Sequence, residues 1–426
     1  MKLEILYGPA GTGKTGALLQ AARLRAIGET GALPADTWLV VPDQASFVME
    51  RRVLDTLGDR DGSRVRVFSI NRLARHILSE TGGSPRPFLD ASGRDILVYR
   101  VIRSLGDRLP LFSDSIRRGG FTKVAGDLVA EIKRYNSTQD QLRAAARAAG
   151  DARLSVKLGE LALIGEAIQT AMDERGYLDG EDRLRMVAER LGDVPGIGRI
   201  HLALDQFQRL SPVQVQLVAA CIRQMASVTV SLRLAEGPAV FGDGTAVFAP
   251  DAQLRGQSTR RMAQALLDAA ASLGAPVVQA CTAGVDLRHR PDSGLAFLAR
   301  RLSLPDRKVF RGCPDDLRLA VHADPEAEVH ACAARLVALC RDGGCRFRDL
   351  AVLVPDVSEY AGAVRRIFRL HGIPFFMDRK ESLAGNPVSV ALLAVFDVLR
   401  GGWRHDDVFR LLKSGLLPVE REVVDR

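Results

Sequence analysis

Residues Gly8-Pro9-Ala10-Gly11-Thr12-Gly13-Lys14-Thr15 carry the most specific chemistry in this sequence. They match in full the pattern of a glycine, four free positions, then Gly-Lys-Ser/Thr. Glycines let successive backbone N–H groups turn inward around phosphate oxygens. Lys14 sets a positive charge against the β- and γ-phosphates, and Thr15 can offer its hydroxyl to Mg²⁺. A helix that starts at Lys14 adds the positive end of its dipole. Gly8, Gly11, Thr12, Gly13, Lys14 and Thr15 are therefore the candidate nucleotide-binding residues, with ATP and Mg²⁺ as the expected ligands. A match of eight residues also occurs in loops that bind nothing. The setting favours binding: an apolar strand before the loop and a helical pattern after it.

The other half of such a site is a carboxylate at the end of a neighbouring strand. Asp205 closes the apolar run Ile200–Leu204 and is the candidate Mg²⁺ ligand beside Thr15. The alternative is an aspartate that starts a turn ahead of Ser211-Pro212. Gln206 follows it. A glutamine can orient a water but cannot accept its proton, so hydrolysis is expected to be slow or absent even where ATP binds.

The elements that must position these groups follow from hydrophobic periodicity. Leu3–Tyr7, Thr37–Val41 and Val65–Phe68 read as short buried strands, separated by helices over 14–26 and in the forties and fifties, and a basic helix follows over 71–80. That βαβαβα order implies a parallel sheet covered by helices. After Pro85-Arg86-Pro87 the period is helical to about residue 191, in stripes at Ile96/Val98/Val101/Ile102/Leu105, Val124/Leu128/Ile132/Tyr135 and Leu158/Leu161/Ile164/Ile168/Met172. This is a helical insertion. Strands return at 199–204 and 228–232, with a helix capped by Ser211-Pro212 between them and another over 259–273. A second α/β unit begins near Leu317: strand 317–321, helix 326–341, strand 350–354, helix 360–370, then the run Ile373-Pro374-Phe375-Phe376, with more helices over 388–413. Its sheet has too few strands to be complete, which points to a fragment.

The chain has 426 residues, long enough for two or three domains. The formal charge of +8 suits a polyanionic partner or, equally, a solvated basic surface. None of the six cysteines forms a CxxC pair or metal-finger spacing, which fits a reducing compartment. With Leu3–Tyr7 read as a core strand, no signal peptide is expected. No apolar run reaches the roughly 18–20 residues of a membrane helix. Cytoplasmic residence and no membrane partner are the expectation.

Beyond the phosphate loop, several segments occur together: Val41-Pro42-Asp43-Gln44-Ala45-Ser46-Phe47-Val48-Met49-Glu50, Val67-Phe68-Ser69-Ile70-Asn71-Arg72-Leu73-Ala74, Asp205-Gln206-Phe207 with Ser211-Pro212, Arg348–Leu353 and Ile373–Lys380. In this order they resemble the AddB family, the helicase-like and nuclease members of bacterial AddAB (RexAB-type) complexes, along nearly the whole chain. The resemblance implies a P-loop NTPase of superfamily 1 helicase type. Its RecA-like parallel sheet, domain 1A, would span 1–84 and 196–305, with a helical insert 1B over 85–195 and an incomplete RecA-like domain 2A over 315–426. It implies a subunit that pairs with an AddA-type helicase-nuclease, acts at single- and double-stranded DNA ends in double-strand-break repair, and follows the 3′-terminated strand with a degenerate motor. An active superfamily 1 translocase is the alternative. Active relatives usually carry a glutamate where this chain has Gln206, and an arginine where it has Val354–Ser358. The family's nuclease domain and iron–sulfur cluster are expected beyond position 426, since the six cysteines do not map onto the cluster ligands.

The resemblance also places single-stranded DNA against the segments after the second and third strands. Gln44, Ser46 and Asn71 can hydrogen-bond base edges, while Arg72, Arg75 and His76 can hold phosphates or stack on bases. Phe207 is a candidate stacking platform. Phe47 is either a second one or a core residue of its helix, and His76 is read as a helix-surface residue. The pairs Arg117-Arg118 and Lys133-Arg134 are read as solvated faces before DNA contacts.

Overall fold

A computed structural model describes residues 2–28, 33–116, 120–234, 239–240, 246–247, 256–281, 288–301, 308–379 and 383–418. The chain divides into two units, 1–317 and 318–426.

The first unit is built on β1 (Leu3–Gly8), α1 (Lys14–Ile27), β2 (Thr37–Val40), α2 (Ser46–Gly62), β3 (Val65–Phe68) and α3 (Ile70–Glu80). The insertion follows as α4 (Ala91–Leu105), α5 (Ser113–Ile116), α6 (Phe121–Arg134), α7 (Gln139–Ala148), α8 (Ala152–Glu174) and α9 (Gly180–Arg190). The chain then returns through β4 (His201–Leu204), α10 (Pro212–Gln224), β5 (Ser227–Arg233), the short hairpin β6 (Ala239–Val240) and β7 (Ala246–Val247), α11 (Gln257–Ser272), β8 (Val277–Cys281) and α12 (Gly294–Arg301). Six strands form one parallel sheet in the order β3-β2-β4-β5-β1-β8. Because β5 lies between β1 and β4, the loops leaving those two strands open toward each other at the carboxyl edge.

Alternation along the strands divides the core between the two faces. Leu39, Val41, Val65 and Val67 pack with Leu18, Leu19 and Ala22 of α1 and Met49, Val53 and Leu57 of α2. Trp38, Val40 and Phe68 turn to the other face, against Ala74 and Ile77 of α3, Leu217 and Ile222 of α10, and Met262 and Leu266 of α11. Leu184 and Val187 of α9 join this same core. The helices α4, α6 and α8 bury a separate core around Val98, Ile102, Ile164 and Ile168. Lys133 of α6 ties the two together, reaching Asp179 (2.8 Å) and Asp182 (2.7 Å) at the start of α9.

Three sequence expectations change. Strand β8 is an addition to them. It pairs with β1 at the sheet edge, where a half-exposed run of Val277, Val278 and Gln279 shows no clean apolar period. On α6 the buried residues are Ala125 and Gly126, whereas Val124 and Tyr135 are exposed. In the second unit, α13 (Pro325–Asp342), α14 (Val357–Leu370), α15 (Pro387–Gly401) and α16 (His405–Leu412) form, but 318–321, 350–354 and 373–376 are not strands. A parallel strand exists only where neighbours satisfy its backbone groups and helices cover its faces. These segments have no ladder partner among the described residues, and Leu319, Val321, Leu353 and Phe376 are at least 90% exposed. The unit's core is instead helical, around Val329, Ala333, Ile367, Phe368 and Ile373. Among the described residues no helix is long and apolar enough to cross a membrane.

Candidate nucleotide cleft

The loop between β1 and α1 turns through left-handed backbone at Gly11 (φ 85°) and Gly13 (φ 82°), conformations that favour glycine. Gly13 caps α1, so the first free N–H groups of the helix face the loop. Thr12 is buried and its hydroxyl donates to the Pro9 carbonyl (3.0 Å), bracing the loop from within. The Lys14 ammonium donates to the carbonyls of Gly8 (2.7 Å) and Pro9 (2.5 Å). Burial lowers its pKa; Asp205 opposes that, and the like charges of Arg233 and Arg288 add to it.

Asp205 follows β4 and is 2% exposed. Its Oδ2 accepts from the Thr15 hydroxyl (2.7 Å) across 190 positions of sequence, and its Oδ1 from the Ser231 hydroxyl of β5. Backbone position explains the meeting: β4 and β1 each end beside β5, so the last residues of all three share one edge. Gln206 takes a left-handed conformation (φ 67°) that is costly for a side chain with a Cβ. Its Nε2 lies 3.5 Å from Asp205 Oδ2.

These groups line a cleft of about 920 Å³. Gly11, Gly13, Lys14 and Thr15 form one wall, Asp205, Gln206 and Phe207 another. Arg52, Arg233 and Arg288 also line it, so four cationic side chains face one carboxylate among the described residues. Gln44 opens into this cleft too, as do Gly11 and Gly13 of the β1–α1 loop. No group of three or more His, Cys, Asp or Glu side chains gathers as a metal cage among the described residues. A divalent ion at Thr15 and Asp205 would thus need oxygens from a ligand and water.

Comparison with known proteins decides the family. Residues 5–298 match the family model described as AddB, N-terminal. The chain belongs to the AddB family. Curated relatives named as the B subunit of an ATP-dependent helicase/deoxyribonuclease cover all of it, among them proteins of Clostridium botulinum strain Loch Maree (28% identical over 428 residues) and Acetivibrio thermocellus (28% over 431). The chain spans 36% of the length of each.

The other candidates of this AddB-family chain do not gather at one place. Asn71, Arg72 and Arg75 are exposed on α3, and Arg72 is paired with Glu50 of α2 (2.7 Å). Ser46 is only 8% exposed, and its buried hydroxyl has no hydrogen-bond partner. Phe207 packs partly against the sheet core. Phe47 is 75% exposed at the start of α2, which removes it from the core and leaves the stacking alternative. His76 is not a free surface residue: its ring stacks on Phe68 (5.1 Å) and lies 3.2 Å from an Arg66 Nη1. Burial and then Arg66 lower its pKa. Lys133 is engaged by Asp179 and Asp182, and Arg134 by Glu181 (3.0 Å). Arg117 and Arg118 lie outside the described residues.

Proposed function

We propose that this chain is the helicase-like part of the AddB-type member of an ATP-dependent helicase/exonuclease complex that resects DNA breaks for recombinational repair. In this reading its RecA-like sheet binds ATP with Mg²⁺ and turns it over poorly or not at all. The observation that carries the proposal is the Thr15–Asp205 hydrogen bond at the carboxyl edge of a parallel sheet, beside a glycine loop and four cations. The loop N–H groups and Lys14 would hold the phosphates. Thr15 and Asp205 would supply two hard oxygens to Mg²⁺, which neutralises phosphate charge when bound. Lys14 must exchange the Gly8 and Pro9 carbonyls for phosphate oxygens, so binding and loop order are linked. Gln206 can hold a water in place, but its amide takes up no proton.

An AddA-type subunit and DNA ends are the partners in this reading. Exposed Phe47, Asn71 and Arg75, with Arg72, offer a platform and donors to a single strand. The test is a titration of a fluorescent ATP analogue into the purified chain and its Lys14→Ala variant. Mg²⁺-dependent binding lost in the variant is expected; equal binding by both removes the phosphate-loop assignment. Binding to single-stranded DNA is expected to weaken steeply with salt; a flat salt dependence removes the basic contacts from the account.

A further inference from the structure

Arg233 is the last residue of β5, the strand between the one that feeds the phosphate loop and the one that ends at Asp205. In register, its Cα is paired with Gly8, where the phosphate loop begins. Side chains two apart on a strand share a face. Thr229, Ser231 and Arg233 therefore form one row. Thr229 donates to Glu4 (2.7 Å), and Ser231 donates to Asp205. Arg233 continues the row past Asp205, at the edge where both loops open, and it is exposed there. It lines the cleft and is close enough to Lys14 for its charge to be felt.

In loops of this pattern the backbone N–H groups cradle the first two phosphates and the lysine reaches the β- and γ-phosphates. A γ-phosphate held by Lys14 would lie near the Thr15–Asp205 pair, and β5 ends between the strands that lead to Lys14 and to Asp205. Like charges gathered in one cleft cost energy unless an anion joins them. We propose that Arg233 contacts the terminal phosphate of a bound nucleoside triphosphate and so makes the site prefer ATP to ADP. The proposal rests on the nucleotide-site reading above. Arg233 is a specificity residue in it: a guanidinium can take two phosphate oxygens at once, which an ammonium cannot.

The experiment compares dissociation constants of fluorescent ATP and ADP, with Mg²⁺, for the wild type, Arg233→Ala, Arg233→Lys and Lys14→Ala. Arg233 is exposed, so its replacement spares the core. Arg233→Ala is expected to weaken ATP about tenfold or more while ADP changes less than about threefold, and Arg233→Lys to fall between. Lys14→Ala is expected to weaken both nucleotides. An unchanged ATP-to-ADP ratio in Arg233→Ala, with both ligands lost in Lys14→Ala, overturns the Arg233 assignment and leaves the nucleotide site standing. Equal weakening of ATP and ADP by Arg233→Ala also overturns it. No nucleotide binding by the wild type overturns both.

Discussion

The two ends of the same sheet carry similar inventories of polar residues and use them in opposite ways. At the amino end, Glu4 of β1 receives the Thr229 hydroxyl, pairs with Lys2 (2.9 Å) and lies 3.7 Å from Arg25. His201 closes the cluster against Ser227 (2.8 Å). At the carboxyl end, Asp205 is held by two hydroxyls, Lys14 is turned onto backbone carbonyls, and three arginines line the cleft. The backbone there is left-handed at Gly11, Gly13 and Gln206. Charge compensated within the chain marks a structural cluster. The left-handed loop that carries Lys14 beside Asp205 is instead the candidate place for an anion.

The comparison breaks most sharply at Asp205. Asp205→Ala is expected to weaken Mg²⁺-dependent nucleotide binding by more than about tenfold and to leave two hydroxyls without their acceptor. Calorimetric titration with and without Mg²⁺ measures it, and an unaltered Mg²⁺ dependence would place the metal elsewhere. At the other end, Glu4→Ala is expected to cost about 1–2 kcal/mol in urea unfolding, because Thr229 loses its acceptor and Arg25 its ion-pair partner. Nucleotide affinity should not move; a shift would mean that the two ends are coupled.

The His201 effect is smaller and depends on pH. Burial, reinforced by Arg25, lowers its pKa to about 4 against an ordinary value of 6.5. Between those values the unfolded chain binds a proton that the folded chain does not, so stability falls as pH drops from 6.5 toward 4. His201→Gln should flatten that part of the stability–pH curve; an unchanged slope would mean that His201 titrates normally. The smallest effect is expected at Gln206. Glycine there relieves the left-handed backbone and should raise stability by about 0.5–1 kcal/mol. A loss of stability would mean that contacts of the glutamine side chain outweigh the strain.

What is legible in the sequence is local. The phosphate loop is contiguous and framed by a strand and a helix, and Asp205 ends an apolar run, so each half of the Thr15–Asp205 pair is recognisable from its own neighbours in the chain. Strand order is not recognisable in that way. Nothing in Ser231 or Arg233 signals a site until β5 is seen between β1 and β4. For the same reason the sequence does not show that Gln44 and Phe207, read there as candidate DNA contacts, line the same cleft as Lys14, Thr15 and Asp205. On α6 the apolar stripe misleads because the helix packs through small residues: a Cβ on Gly126 would come within 3.3 Å of a Val98 methyl. The strands expected in the second unit have apolar composition, but composition does not supply neighbours for the backbone.

On the proposed reading the cleft holds ATP–Mg²⁺ without appreciable hydrolysis. The most direct measurement follows nucleotide occupancy and phosphate release in one sample of the purified chain with single-stranded DNA present. Saturable, Mg²⁺-dependent occupancy with no DNA-stimulated phosphate release is the predicted result. Turnover at or above about 1 s⁻¹, the lower end for ordinary enzymes, would contradict it and make this chain an active motor.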